Sequence, residues 1–304
     1  MALNVSDIGE KELINYILSK SSDIIPDDTA ITKFSDTNLI STCDMLIASK
    51  HFPQEMSYFQ MGFKAVTVNV SDLAAMGAEP LGFLLSIALP KDLDVQDFKE
   101  IIDGVFNACD YYEIPLIGGD TNEASEIIIS GTALGLCDSP LMKNTSKEGD
   151  LICLTGDIGL AALGFNLGED NVYTKKALEP LARLKEGIII KNSGATSATD
   201  ITDGVASELY EMKPDSLGFM IHEDKLKISD EFKDISSELG LNYLDLILHV
   251  GEDFELLFTI DKDNDLDIDY IVIGEVNDSD RIQITLSNGE VREIENRGYN
   301  HYVS

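Results

Sequence analysis

The sequence is organised around the stretch Gly118-Gly119-Asp120-Thr121, which directly follows the apolar run from Ile114 to Ile117. A short apolar run that ends in two glycines predicts a strand followed by a tight turn. The aspartate then stands where the strand ends. The stretch therefore predicts a carboxylate at the mouth of a strand.

Four other short acidic segments occur along the chain, and apolar runs bound each of them. Lys and Arg number 22 against 55 Asp and Glu, so few cationic side chains are available to bind phosphate. Carboxylates at the ends of separate strands and helices are typical of sites for divalent metal ions, which bind oxygen ligands. The four segments are Asp27-Asp28, Thr42-Cys43-Asp44, Ser71-Asp72 and Thr202-Asp203.

The composition is that of a soluble, globular protein, with 304 residues that are enough for two domains and 44% hydrophobic residues. A formal net charge of −33 argues against a nucleic-acid-binding surface, which needs cations to neutralise phosphates. No signal peptide and no apolar run of membrane-spanning length is visible, so we expect a cytoplasmic protein without a membrane partner. The four cysteines are far apart in apolar runs and are expected to be buried thiols.

Periodicity divides the chain into two halves. The first half shows an amphipathic helix over 6–20, a helix over 62–77 that is apolar nearly all round, and strands over 83–89 and 126–136. The polar segment from Asn144 to Asp150 follows, so we predict domains at 1–143 and 144–304. The second half shows strands over 151–154, 255–260, 270–276 and 281–286, and a helix after Asp203-Gly204, which predicts an α+β domain.

Ten short motifs follow one another along the chain. They are Asp27-Asp28-Thr29-Ala30, Thr42-Cys43-Asp44, His51-Phe52, the segment 62–78, Gly118-Gly119-Asp120-Thr121, Thr155-Gly156, Pro180 with Ala182-Arg183, Asp200-Ile201-Thr202-Asp203-Gly204, the segment 251–257, and Gly298-Tyr299-Asn300-His301-Tyr302.

In that order the motifs resemble the thiamine-monophosphate kinase family of the aminoimidazole ribonucleotide synthetase superfamily. The resemblance implies an α+β fold of two domains, in which the N-terminal sheet pairs across a homodimer into a barrel and the C-terminal domain is an α/β sandwich. The first domain would bind ATP and Mg²⁺ and form the dimer, and the second would complete the cleft. The implied reaction is in-line transfer of the γ-phosphoryl group of ATP to thiamine phosphate.

The resemblance also implies roles for individual residues. Asp203, Arg183 and Lys143 would assist phosphoryl transfer. The remaining residues are the Mg²⁺ ligands Asp28, Thr42, Asp44, Asp72, Asp120 and Asp203, the nucleotide-binding residues Gly118, Gly119, Asp120, Thr121 and Thr202, and the substrate-binding residues His51, Glu252, Asp253 and Tyr299.

Several positions depart from the family pattern and leave alternatives open. Glu179 stands where the family has an arginine, Val250 replaces a glycine, and Lys143 replaces an arginine that would contact phosphate. A paralogue that binds nucleotide or thiamine phosphate without turnover is therefore one alternative. Another ATP-using enzyme of the superfamily is a second, although the chain has no cysteine near either end to serve as a reactive thiol.

Overall fold

The structure is a computed structural model that describes residues 4–20, 25–168 and 171–297. It contains two β-sheets, one formed by strands between residues 30 and 137 and one by strands between residues 151 and 293. Each half has its own helices. One hydrophobic core packs against the first sheet and continues into the second half through residues such as Leu184, Phe254 and Phe258, and a second core lies wholly in the second half. The predicted α+β architecture with two halves is confirmed.

The first sheet contains five strands, which are β1 (Ala30–Phe34), β2 (Thr37–Ile47), β3 (Glu79–Leu89), β4 (Leu116–Glu123) and β5 (Ile128–Cys137). Their order is β1-β2-β5-β3-β4. All neighbours are antiparallel except β3 and β4, which are parallel. Strands β1 and β4 are therefore the two edges of this sheet.

The stretch from Gly118 to Thr121 lies inside β4, whereas the sequence predicted that the strand ends before it. A Cβ atom at Gly119 would collide with the backbone carbonyl of Leu85 on β3. The missing side chain lets β4 run close beside β3, so these glycines extend the strand instead of ending it.

Four helices belong to the first half, namely α1 (Val5–Leu18, kinked at Gly9), α2 (Ala48–His51), α3 (Tyr58–Ala75) and α4 (Val95–Tyr111). Helix α3 begins with a capping box, in which Ser57 and Gln60 exchange side-chain and backbone hydrogen bonds. Helices α3 and α4 touch backbone to backbone, because Cβ atoms at Gly62 and Gly104 would meet carbonyl groups of the opposite helix.

The second sheet contains seven strands, which are β6 (Leu151–Leu154), β7 (Ala195–Asp200), β8 (Gly218–His222), β9 (Leu256–Ile260), β10 (Ile271–Asn277), β11 (Ile282–Thr285) and β12 (Val291–Glu293). Their order is β12-β11-β8-β10-β6-β9-β7. The helices of this half are α5 (Leu160–Gly164), α6 (Val172–Leu178), α7 (Leu184–Asn192), α8 (Val205–Met212), α9 (Asp230–Glu238) and α10 (Tyr243–His249).

Helix α3 lies between the two halves. It packs on strands β2 and β5 on one side, and on α7 and β7 of the second half on the other. A Cβ atom at Gly187 of α7 would collide with the carbonyl of Ala74, so these two helices also approach closely. The predicted burial of this helix on most faces is confirmed, since its residues from Gly62 to Ala75 are almost all buried.

Two further sequence expectations have clear outcomes. No helix in the described part of the chain is long and apolar enough to cross a membrane. Cys109, Cys137 and Cys153 are buried as expected, but Cys43 is exposed. Cys43 alternates along β2 with buried Thr42, so it points away from α3 toward the open face of the first sheet.

Candidate active site

Three carboxylates from three separate elements meet at the junction of the two halves. Asp28 precedes β1, Asp72 lies on α3 and Asp200 is the last residue of β7. One oxygen from each lies within 4.8 Å of the others. Because α3 packs against β7, Asp72 on the helix lies close to Asp200 at the end of the strand.

Burial gives these acids unusual proton affinities. It is the main cause that raises the pKa of Asp28 to about 6 and that of Asp200 to about 8. Burial also raises the pKa of Asp72 well above its ordinary value, and the charges of Asp200 and Asp44 add to the effect. Like charges are thus held together in a dry site, which costs free energy in the absence of a cation.

Strand β2 completes the acidic cluster through Thr42 and Asp44. The Thr42 hydroxyl donates to Asp72 Oδ2. The backbone N–H of Asp44 donates to Asn69 Oδ1 on α3 at 3.1 Å, which fixes β2 against the helix. Burial raises the pKa of Asp44 as well. Four of the predicted metal ligands therefore lie together, namely Asp28, Thr42, Asp44 and Asp72.

Lys143 is the cation that contacts this cluster. Its Nζ lies 2.6 Å from Asp28 Oδ1 and 2.5 Å from Glu211 Oε2 of α8. Burial acts to lower the pKa of Lys143, but the charges of Asp28 and Glu211 outweigh it and raise that pKa above its ordinary value. Glu208 of α8, which is buried, adds a further acid beside them. One lysine therefore faces an excess of carboxylates.

Two oxygens of the cluster fit a bound metal ion. Asp28 Oδ2 and Asp200 Oδ2 are buried and have no hydrogen-bond partner among the described residues. A buried carboxylate oxygen that lacks a donor is costly, and a divalent cation would satisfy it. A donor set of carboxylate and hydroxyl oxygens suits a hard cation such as Mg²⁺.

The loop between α10 and β9 packs against the turn that follows β7. The backbone N–H groups of Glu252 and Phe254 donate to the carbonyl oxygens of Thr202 and Ile201 at 2.9 and 3.0 Å. Both donors have left-handed backbone conformations, with φ of 67° and 52°. Such conformations are disfavoured for residues with a Cβ and are concentrated at functional sites. This strained loop therefore lies next to the segment that carries Asp200.

Comparison with known proteins assigns a family to this arrangement. Residues 26–137 match the family model described as AIR synthase related protein, N-terminal domain, and residues 147–287 match that of the C-terminal domain. The thiamine-monophosphate kinase of Pyrococcus horikoshii is 36% identical over 284 residues, which cover 90% of each chain. This chain belongs to the thiamine-monophosphate kinase family.

Other members and structures agree with that assignment. The thiamine-monophosphate kinase of Pyrococcus abyssi is 38% identical over 283 residues, covering 90% of this chain and 89% of that one. A solved structure described as AaThiL complexed with AMPPCP and TMP is 28% identical, covers 99% of both chains and has a TM-score of 0.89.

In this member of the kinase family, Asp120 lies apart from the acidic cluster. Strands β3 and β5 separate β4 from β2, so Asp120 is about 14 Å from β2 across the sheet. The register pairs Asp120 with Ser86, which pairs with Ser130 and then with Met45. Asp120 therefore shares the open face of the sheet with Met45, while Asp44 points toward α3.

Gly118, Gly119 and Thr121 also lie on the edge strand β4 and are exposed. Two other predicted residues, Thr202 and Asp203, lie in the turn between β7 and α8. The backbone N–H of Asp203 donates to Glu208 Oε1 at 3.2 Å, which ties this turn to α8. The structure therefore separates the predicted nucleotide-binding residues into two groups within one chain.

The predicted substrate-binding residues lie at different depths. His51 ends α2, and its Nδ1 accepts from the backbone N–H of Ile47 at 2.9 Å. Glu252 is partly exposed, whereas Asp253 is fully buried and its Oδ2 accepts from the Gly159 N–H at 2.8 Å. Tyr299 lies outside the described residues.

Arg183 is held by a buried carboxylate. Its Nε and a terminal nitrogen donate to the two oxygens of Glu255 at 2.5 and 2.7 Å, and Lys176 Nζ lies 2.9 Å from the same carboxylate. A Cβ atom at Gly156 would come within 2.7 Å of Glu255 and 2.9 Å of Arg183. The glycine of the Thr155-Gly156 turn therefore makes room for this ion pair.

Three residues of the site were not assigned roles from the sequence. Asp200 stood inside a quoted motif, and its position at the end of a small-residue strand was the available signal. Lys64 and Glu255 also stood inside motifs, in the segments 62–78 and 251–257, but nothing in the local sequence indicated that either is buried in an ion pair, because charged residues are mostly exposed. Only the tertiary structure identifies them as buried and paired.

Proposed function

We propose that this protein transfers the γ-phosphoryl group of ATP to thiamine phosphate, which yields thiamine diphosphate and ADP. The observation that carries this proposal is the buried cluster of Asp28, Asp72 and Asp200, in which two carboxylate oxygens have no hydrogen-bond donor within residues 4–20, 25–168 and 171–297. An excess of buried negative charge suits a site that binds polyphosphate through metal ions. The names of the relatives and the ligands of the similar structure support the same reaction.

We propose Mg²⁺ as the metal. Asp28, Asp44, Asp72 and Asp200 would hold it, with the Thr42 hydroxyl beside them. Bound Mg²⁺ neutralises the negative charge of the phosphates during transfer. Asp120 and Asp203 remain proposed ligands, and each would need the nucleotide or a second protomer to connect it with the cluster.

The protein side chains would position the reactants and complement their charge. The acceptor is a phosphate oxygen that is already a nucleophile at neutral pH, so no general base has to deprotonate it. Lys143 and Arg183 would place positive charge near the reacting phosphates. Because no step needs an enzyme nucleophile, the transfer is in line and inverts the configuration at phosphorus.

We also propose a homodimer in which two copies of the first sheet face each other and close a barrel. The exposed apolar side chains of this sheet support it, and they are Phe34, Met45, Leu81 and Ile117. A second copy would cover these side chains and also the exposed strand β4. The β4 residues Gly118, Gly119, Asp120 and Thr121 would then form part of a nucleotide site. Met45→Asp places a charge on this face and is expected to give monomers by light scattering, whereas a monomeric wild type would refute the dimer.

Remaining assignments follow the family. We propose that His51, Glu252, Asp253 and Tyr299 bind thiamine phosphate, that Thr202 contacts the nucleotide, and that the domain boundary falls between residues 143 and 144. We also propose a cytoplasmic location, where ATP is available.

The decisive test of the activity is ADP release at millimolar Mg²⁺ with and without thiamine phosphate. We expect ADP to form only when thiamine phosphate is present, in step with thiamine diphosphate. ADP release that ignores thiamine phosphate, or nucleotide binding without any turnover, would reject the proposal. The second outcome would favour a paralogue that binds without catalysis.

A further inference from the structure

Lys64 is a lysine that is completely enclosed by the protein. It lies in the first half of α3, its side chain is 1% exposed, and it is among the largest fully buried side chains in the described residues. An ammonium group removed from water costs free energy unless partners compensate it. Its partners should therefore explain why a lysine occupies this position.

Both partners of Lys64 belong to the proposed substrate site. Its Nζ forms an ion pair with Glu252 Oε2 and donates to the backbone carbonyl of His51 at 3.0 Å. His51 belongs to the first half of the chain and Glu252 to the second. One buried ammonium thus joins a substrate-site residue from each half.

Lys64 contacts only one of the two carboxylate oxygens of Glu252, which leaves the other oxygen available to a ligand. The side chain of Glu252 is 31% exposed, and the Lys64 ammonium group contacts Oε2. Oε1 makes no hydrogen bond to the described part of the chain. The left-handed backbone of Glu252 is maintained by its hydrogen bond to Thr202, so both ends of the residue are fixed. A fixed carboxylate with one open oxygen is suited to accept a hydrogen bond from a ligand or to face a cation.

The distance along α3 indicates which part of the substrate this carboxylate would meet. Lys64 precedes Asp72 by two helical turns, which corresponds to about 12 Å. Asp72 belongs to the carboxylate cluster where phosphoryl transfer would occur. Along α3 the Lys64 pair is therefore offset from Asp72, while the backbone of Glu252 packs beside Thr202 near the end of β7. This offset suits the organic part of a thiamine phosphate molecule whose phosphate lies at the cluster.

We propose that Lys64 is a positioning residue that orients Glu252 and His51 to bind the organic part of thiamine phosphate, which carries a cationic thiazolium and an aminopyrimidine. The assignment rests on the proposed function. Lys64 does not touch the substrate; it fixes the carboxylate that does. Loss of Lys64 should therefore weaken thiamine phosphate binding and leave ATP binding intact.

The test compares Lys64→Met with the matched control Lys213→Met. Lys213 directly follows α8 and is also mostly buried, and its Nζ pairs with Asp280 and donates to the backbone carbonyls of Pro214 and Leu217, none of which belongs to the proposed site. For Lys64→Met we expect KM for thiamine phosphate to rise roughly 10- to 100-fold, as for a lost hydrogen bond to a charged group, with KM for ATP unchanged. Lys213→Met should change neither KM.

A double-mutant cycle tests whether Lys64 acts through Glu252. Glu252→Gln alone should raise KM for thiamine phosphate, and Lys64→Met with Glu252→Gln should be no worse than the more severe single variant. The assignment would be overturned if the two substitutions raised KM for thiamine phosphate additively. It would also be overturned if KM for thiamine phosphate and KM for ATP rose equally, or if neither changed. If Lys64→Met does not fold, the test uses Glu252→Gln alone, because Glu252 is partly exposed and its replacement should be tolerated. A rise in KM for thiamine phosphate with an unchanged KM for ATP would support the assignment, and any other result would overturn it.

The wild-type arm separates this assignment from the proposed function. A wild type without turnover of thiamine phosphate would overturn the proposed reaction, and the assignment with it. A wild type that turns over thiamine phosphate, together with a Lys64→Met variant whose two KM values change equally, would overturn the role of Lys64 alone.

Discussion

Two groups of buried charges in this protein have opposite charge balance. Glu255 is almost fully buried, yet Lys176, Arg183 and the Thr155 hydroxyl all contact its carboxylate. Burial alone would raise the pKa of Glu255, but hydrogen bonds from Arg183 and the charge of Lys176 outweigh burial and lower it. Every charge in this group has a partner.

The cluster around Asp72 has the opposite balance. Several carboxylates face one lysine, and burial raises their pKa values. Asp28 and Asp200 each retain an oxygen that has no hydrogen-bond donor in the described part of the chain. A balanced buried group can be explained by structure alone. An unbalanced group costs free energy that the fold must supply, which indicates a ligand that brings positive charge.

The largest effect should come from Asp72→Asn, which removes one charge from the unbalanced cluster. We expect kcat for ADP release to fall roughly 100- to 1,000-fold, because charge complementarity to the bound metal and phosphates is lost. The free energy of unfolding of the metal-free variant should stay equal or rise, since like charges repel in the wild type. A variant that unfolds at lower denaturant concentration than the wild type would contradict this interpretation.

Glu255→Gln should behave in the opposite way. It leaves Lys176 and Arg183 without their anion, so the free energy of unfolding should fall by about 2–3 kcal/mol, a value reduced because Arg183 is partly exposed. Chemical denaturation followed by circular dichroism measures the change. An unchanged midpoint would show that the balanced group does not stabilise the fold.

Asp253 provides an intermediate case, because one of its oxygens accepts from the Gly159 N–H and the other has no hydrogen-bond partner among the residues that the structure describes. Burial is the main cause that raises its pKa to about 7. Between about pH 4 and pH 7 the folded state therefore keeps the Asp253 proton, whereas the unfolded state releases it near pH 4. The contribution of this proton to the free energy of unfolding is complete below pH 4 and is lost as the pH rises through 7. Asp253→Asn should reduce the loss of stability over this range by about 4 kcal/mol.

Denaturation midpoints of the wild type and Asp253→Asn between pH 4 and pH 8 measure this difference. Parallel pH profiles for the two proteins would show that Asp253 releases its proton at an ordinary pKa.

The smallest effect is expected at an ion pair on the protein surface. Arg292 lies 2.8 Å from Glu290, but both side chains are about half exposed to solvent or more. Water and salt screen such pairs. Arg292→Ala should leave both thermal stability and turnover unchanged, and a clear loss of either would mean that exposure is a poor guide to the importance of a charge here.

Much of the fold could be predicted from the sequence, because apolar periodicity reports burial directly. The helix over 62–77 and the strand over 151–154 correspond to α3 and β6. Gly118-Gly119 was misinterpreted because glycine pairs are typical of turns. Here they allow two parallel strands to approach each other, which depends on a neighbouring strand that the local sequence does not contain.

The site was predictable only in part. Asp28, Asp44 and Asp72 stand beside apolar segments, so their positions were visible as acids in buried surroundings. Asp200 required the contact between β7 and α3, and Lys64 required the pairing of residues separated by 188 positions. Partners this distant in sequence leave no local pattern. For the same reason the separation of Asp120 from Asp44 was not foreseen.

The central claim is that the unbalanced carboxylate cluster binds Mg²⁺. The most direct measurement is calorimetric titration of Mg²⁺ into metal-free protein, alone and with a non-hydrolysable ATP analogue, for the wild type, Asp200→Asn and the exposed control Glu290→Gln. We predict saturable binding to the wild type and the control, and at least about tenfold weaker binding to Asp200→Asn. Equal affinity of all three proteins, or no saturable binding to the wild type, would contradict the account.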